Sequence, residues 1–161
     1  MSHECGVCGR PVDELARAFM TRLPETASGE TLTIREDRKS MSRSDQRCFV
    51  RCEVQVPMVD QPSESLAFIL WVEVEEADYR RILEFRQGGE KEAFPNWVPG
   101  RLANSVVGVP NAFGTAVKFE VAQGDPTPYV KWVEPSSILA ARIVAGASVE
   151  FWHDVVHSHR N

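Results

Sequence analysis

Phe49-Val50-Arg51-Cys52-Glu53-Val54-Gln55-Val56 is the stretch from which the fold is read. Val50, Cys52, Val54 and Val56 share one side of an extended chain, and Arg51, Glu53 and Gln55 share the other. This period of two marks a strand in a half-buried sheet, and Pro57 ends it. A second strand is expected over residues 66–74. There Leu66, Phe68, Leu70, Val72 and Val74 fall on one face and Ile69 and Trp71 on the other, the pattern of a strand covered on both sides.

Working outward, Glu75-Glu76-Ala77-Asp78 supplies first-turn chemistry for a helix that turns Tyr79, Ile82, Leu83 and Phe85 inward and stops at Gly88-Gly89. Residues 94–114, rich in Pro, Gly and Asn, have no clear period and are expected to wrap over the sheet. Two further strands are expected at 116–121 and 129–133, joined through Gln123-Gly124-Asp125-Pro126. Ser136 or Ser137 caps a helix running to Ala145, Gly146 breaks it, and Ser148 caps another carrying Phe151, Trp152, Val155 and Val156. Toward the N-terminus, Asp13 starts a helix with Leu15, Phe19 and Leu23 at helical spacing, stopped by Pro24. Residues 25–47 read as an exposed connection with one short strand at Thr31–Arg35. Strands in the middle and helices at both ends of the chain predict a single α+β domain over residues 1–161 with an antiparallel or mixed central sheet. An N-terminal Cys-x2-Cys knuckle occupies residues 3–12.

With 161 residues, the chain can bury a core without help from disulfides or metals. Its hydrophobic content of 43% and charged content of 25% are those of a globular protein. The net charge of −5 argues against nucleic acid as a partner, because phosphates need a basic face. Arg35, Arg38, Lys39, Arg43, Arg47 and Arg51 crowd one stretch, but Glu36, Asp37 and Asp45 dilute it into a solvated loop. The start, Met-Ser-His-Glu-Cys, has neither a basic head nor an apolar stretch, and no apolar run approaches the ~20 residues that span a bilayer. The expectation is a cytoplasmic protein that does not enter membranes and whose thiols stay reduced.

Chemistry concentrates at two places. Cys5-Gly6-Val7-Cys8-Gly9 is half of a zinc site, two thiolates that a tight turn can aim at one tetrahedral ion. Cys48 and Cys52 do not supply the other half: four steps of ~3.3 Å along a strand put them about 13 Å apart. They are expected to be small core residues, with Cys52 the stronger of the two as a lone third ligand. His153 and His157 fit better. Four apart on the last helix, their Cβ atoms lie ~5–6 Å from one another on one face, and His-x3-His is a spacing that structural zinc sites use. Cys5, Cys8, His153 and His157 thus make a candidate structural Zn2+ site, with His3 and His159 as substitutes. A redox role for the cysteine pair lacks the preceding strand that such a motif requires. His-Asp-x-x-His is not the His-Glu-x-x-His protease signature. Trp71, Trp97, Trp132 and Trp152 read as core or rim. The acidic cluster Glu73, Glu75, Glu76 and Asp78 reads as helix-dipole complementation.

Cys5-x2-Cys8-Gly9, Phe49-Val50-Arg51, Phe68 through Trp71-Val72 into Glu75-Glu76-Ala77-Asp78-Tyr79, Ile82-Leu83-Glu84, Gly100-Arg101-Leu102-Ala103-Asn104, Pro110, Thr115 and Lys118 stand in an order that resembles the bacterial domain-of-unknown-function family 2199. The likeness covers most of the chain and is strongest from residue 49 to residue 84. The chain departs from the family where members carry His-Pro-Leu-Ala, having Ser137-Ile138-Leu139-Ala140 instead. With no activity assigned to the family, the resemblance implies a fold and a cytosolic setting only.

Two functional classes follow. The first is a binding or interaction domain for a protein or small-molecule partner, with zinc at Cys5 and Cys8. It rests on the absence of any convergent acid, base and nucleophile. The alternative is an enzyme of unassigned type that uses His153 or His157 near the 94–114 loop. Oligomeric state cannot be read from the pattern.

Overall fold

The computed structural model describes residues 17–61, 63–87, 94, 96–122 and 126–158. Its elements run β1 (Ala18–Met20), β2 (Arg35–Arg38), β3 (Met41–Ser44), β4 (Arg47–Pro57), β5 (Ser65–Val74), α1 (Glu76–Arg86), β6 (Val98–Leu102), β7 (Ala116–Glu120), β8 (Tyr129–Val133), α2 (Ile138–Ala145) and α3 (Val149–Ser158). The class is α+β with a mixed sheet, as expected.

β4 and β5 form the backbone of the fold, antiparallel in unbroken register from Cys48–Val74 to Pro57–Ser65. The alternation in both strands puts Val50, Cys52, Val54, Val56, Leu66, Phe68, Leu70 and Val72 into one continuous core. From β5 the chain continues as a meander, β5–β6–β7–β8, each neighbour antiparallel to the last, and β8 returns to β4. This closes a five-strand barrel. An up-and-down ring with an odd number of strands cannot be antiparallel throughout, so the closing pair must be parallel, and β4–β8 is. It consists of one register pair, Glu53↔Tyr129, and the Glu53 amide donates to the Pro128 carbonyl at 2.8 Å.

Closure leaves the outer parts of β4 and β5 free to pair again. β3 and β2 continue the sheet beyond β4 as a tight meander, with Ser40 (φ 66°) and Asp45 (φ 51°) in its two turns. β1 lies parallel to β5 at Ala18↔Ala67, Phe19↔Phe68 and Met20↔Ile69. Phe49, Trp71 and Ala103 form a smaller buried cluster on the far side of β4 and β5, with Leu32 and Ile34 packed against it. The Arg51 guanidinium lies 4.5 Å from the Trp71 ring centroid and donates to the carbonyls of Thr21 and Arg22, holding the 21–34 segment over this cluster.

The secondary structure departs from expectation in four places. Residues 17–23, the described part of the anticipated N-terminal helix, contain strand β1. Pairing on β5 and the Phe19–Phe68 ring contact, with centroids 5.5 Å apart, outweigh three apolar residues at helical spacing. Among the described residues, therefore, helices do not flank the sheet on both sides: α1 lies mid-chain, and α2 and α3 follow the last strand. The 25–47 connection contains β2 and β3, while Thr31 makes only an isolated bridge to Glu25. The 94–114 passage contains β6. The stop at Gly88-Gly89, the 123–125 turn and residues 1–16 lie outside the described residues.

α2 and α3 begin at the caps read from sequence. Ser137 Oγ accepts from the Ala140 amide at 3.0 Å, and Ser148 Oγ from the Phe151 amide at 3.1 Å. Gly146 (φ 80°) separates the two helices. The joint is pinned to the end of β4, because the Ala147 amide donates to Pro57 O at 2.7 Å and the Val59 amide to Ala147 O at 3.0 Å.

Candidate functional site

Of the four expected zinc ligands, Cys5 and Cys8 lie outside the described residues, as do the substitutes His3 and His159. His153 and His157 come together on α3, with ring centroids 4.2 Å apart. His153 is 9% exposed. Its Nδ1 faces Asp154 Oδ1 at 3.5 Å, and its Nε2 is buried with no hydrogen-bond partner among the described residues. A buried imidazole nitrogen without a hydrogen-bond partner is one that can ligate a metal, and Asp154 stands near the other without hydrogen-bonding it. Among the described residues no group of three potential ligands forms. The chain at Arg17 is close by, with its guanidinium 5.2 Å from the ring of Trp152, the residue next to His153.

Cys48 and Cys52 are free and buried, as expected of core residues. Cys52 is enclosed in the apolar core, its thiol directed at Val50 O at 3.7 Å and pushed up in pKa by burial.

The 94–114 loop, the anticipated location of an enzymatic site, packs on α3, since a Cβ at Gly108 would meet the Phe151 ring at 2.7 Å. The hollow within it is lined by residues 105, 106 and 108–113, with no histidine or carboxylate.

Two members of the acidic cluster are held by arginines. Glu73 accepts both bonds of a bidentate pair from Arg47 at 2.7 and 2.9 Å, and Glu76 accepts from Arg80 at 2.6 Å. Glu75, Glu76, Gly100, Arg101 and Lys118, all among the residues that carry the family resemblance, line one groove of about 660 Å³ here. Arg101 is engaged with the Gly114 carbonyl at 3.0 Å. Asp37, in the neighbouring meander, accepts from Tyr79 Oη at 2.8 Å and Arg43 Nε at 2.7 Å. Burial alone would raise the Asp37 carboxyl, but these two bonds hold it below the usual carboxylate range. Burial and the same bond to Asp37 push the Tyr79 phenol up.

The larger concavity was not foreseen. β4 and β8 diverge from their single closing pair, and a groove of about 790 Å³ opens between them with α2 as its third wall. Val54, Val130, Val133 and Ile143 supply apolar lining, and Lys131 is the one charged side chain on it among the described residues. On α2, Val144 is 89% exposed at its margin. A sequence signal existed: Ile138-Leu139-Ala140-Ala141-Arg142-Ile143-Val144-Ala145 is apolar nearly all round, and such a helix is buried or partnered.

No helix among the described residues is long and apolar enough to cross a membrane. The family model described as "Uncharacterized protein conserved in bacteria (DUF2199)" matches residues 4–147, and the chain belongs to that family. No curated protein and no solved structure matches it significantly.

Proposed function

We propose that this member of the family works by binding rather than by catalysis, and that the groove at the open barrel seam receives its partner. The observation that carries the reading is the pairing of that groove with an exposed apolar wall. A cavity of about 790 Å³ falls in the ~300–1,000 Å³ range of ligand sites. Val144, 89% exposed, and Tyr129, 46% exposed, both line it, so the groove margin carries more than one exposed apolar side chain. Among the described residues the lining offers no acid–base pair, and His153 and His157 stand on α3, outside it. The net charge of −5 favours a partner other than nucleic acid. The free thiols of Cys48 and Cys52 support a cytosolic setting.

The test is a displayed library of random linear peptides panned on the full-length protein and, in parallel, on Val144→Asp, which replaces a solvent-facing side chain and leaves the core intact. Enrichment on the parent that disappears on the variant supports the reading. No enrichment, or enrichment indifferent to the substitution, overturns it.

The second element of the proposal is structural zinc held by Cys5, Cys8, His153 and His157. It is supported by the Nε2 of His153, buried and without a hydrogen-bond partner among the described residues. Cys8 is nine residues from Arg17, a reach of up to about 30 Å in extended chain, and the Arg17 guanidinium lies over the ring of Trp152 on the same helix as the histidine pair. A metal there would tie the cysteine knuckle to the last helix and contribute to folding. Elemental analysis of untagged protein should find about one zinc per chain. The zinc should be lost in Cys5→Ser/Cys8→Ser and reduced in His153→Ala/His157→Ala. Metal-free protein, purified without chelator, would rule the site out.

A further inference from the structure

We infer that the occupant of the seam groove is an extended peptide segment carrying an acidic side chain, added as a strand along the edge of β8; this rests on the reading of the groove as the binding site. The geometry that points to a strand is the lining itself. Tyr129, Val130, Lys131, Trp132 and Val133, five consecutive residues, all line the groove. A strand that turned one face to a cavity would show it alternate residues only, because successive side chains point to opposite faces. Consecutive residues mean that β8 presents its edge.

That edge is not continued by a strand among the described residues beyond the Glu53↔Tyr129 pair. β4 and β8 run parallel and diverge from that pair, so their separation widens toward Pro57 and Val133. The wedge between them is bounded by α2. An exposed edge is a template for a further strand: main-chain hydrogen bonds give affinity, and alternate side chains give specificity. The five residues of β8 set the length at about 17 Å, or roughly five residues of peptide. Side chains on one face of the added strand would meet Val144 and Ala141 of α2, which calls for apolar residues at alternate positions.

Charge selects among such peptides. Among the described residues, Lys131 is the only ionisable group on the lining besides the Tyr129 phenol, and it is exposed. Among the described residues no carboxylate lines the groove to pair with it, and its Nζ lies 5.6 Å from the Tyr129 ring centroid. A ligand that covers Lys131 with apolar atoms alone would strip water from an ammonium and offer nothing in return. A glutamate or aspartate, or the terminal carboxylate of the peptide, supplies the missing acceptor.

The experiment takes peptides enriched in a Val144-dependent way from the random library. Their affinities are measured by fluorescence anisotropy for the parent and for Lys131→Gln, a substitution at an exposed site. Hydrogen exchange is followed at residues 130–133 with and without peptide. The expected result is an acidic residue recurring within alternating apolar sequences and about tenfold weaker binding to Lys131→Gln. Exchange at β8 should slow when peptide is bound. Val144-dependent binding that ignores Lys131→Gln and leaves β8 exchange unchanged would overturn the strand-addition inference while the binding-domain reading stands. Slow exchange in the free protein at those of the 130–133 amides that point away from β7 would overturn it by assigning the edge to the chain's own residues. A dimer that Val144→Asp converts to monomer would overturn it by assigning the groove to a second copy. Failure to enrich any Val144-dependent peptide removes both readings together.

Discussion

Asn104 joins two distant segments through one side-chain amide: its Oδ1 accepts from the Trp71 amide at 2.8 Å, and its Nδ2 donates to the Leu23 carbonyl at 2.8 Å. The residue has no exposed surface. The same Trp71 donates its indole N–H to Arg22 O at 3.1 Å, so β5, the 103–104 corner and the strap over the Phe49–Trp71 cluster are tied at one point.

Asn104→Ala leaves a buried N–H and a buried carbonyl without partners. A cost of about 2–3 kcal/mol is expected, since each orphaned group costs ~1–3 kcal/mol in a buried setting. Urea denaturation followed by tryptophan fluorescence measures it. A change below about 0.5 kcal/mol would mean that water replaces the amide.

Gly100→Ala tests the approach of β6 to β5. A Cβ there would collide with the Val72 side chain and stand 2.7 Å from Glu73 O, and backbone cannot yield as a flexible side chain can. Destabilisation of about 1–3 kcal/mol is expected from overpacking. Gly29→Ala, at a position open to solvent but with φ 85°, separates steric crowding from backbone strain. Its cost should be near ~1 kcal/mol.

The Asp37–Tyr79–Arg43 group gives stability a dependence on acid. The folded-state pKa of Asp37 is depressed, so the unfolded chain takes up the proton first. The contribution is fully present above the unfolded value of about 3.9 and is lost as pH falls through the lower folded value. Asp37→Asn should therefore be less stable than the parent near neutrality, with the gap narrowing below about pH 4. Parallel denaturation curves at acid and neutral pH decide it. A gap that stays constant would show that the carboxylate charge contributes nothing.

Thiol labelling checks the core cysteines. In Cys5→Ser/Cys8→Ser the remaining Cys48 and Cys52 are buried in the barrel. Labelling should be negligible in the native protein and complete in denaturant. Rapid native labelling would show that the barrel opens locally.

The parts of the fold that sequence revealed are those with unbroken local pattern. β4 and β5 alternate over their whole length, and Ser137 and Ser148 cap the helices as their chemistry requires. β6 was hidden because Pro99 and Gly100 occupy the centre of the alternation between Val98 and Leu102. β2 was hidden because Arg35-Glu36-Asp37-Arg38 has no apolar face. It is a strand only through its pairing with β3, and Asp37 is anchored by Tyr79 of α1. The histidine pair was legible from i, i+4 spacing. The groove was not, because its walls meet through Glu53 and Tyr129, and no local period encodes a pairing between residues that far apart.

That closing pair also sets an order of events for the chain. Every other joint of the barrel links strands adjacent in the meander, and β4 with β5 can zip from a short turn. The ring cannot shut until residue 129 is available, and closing so long a loop is the most entropically costly step. A chain emerging from the ribosome is therefore an open sheet, its inner face uncovered, until the last strand arrives. Substitutions at Tyr129 should slow refolding and leave the unfolding rate little changed, the kinetic signature of an interaction already made at the barrier.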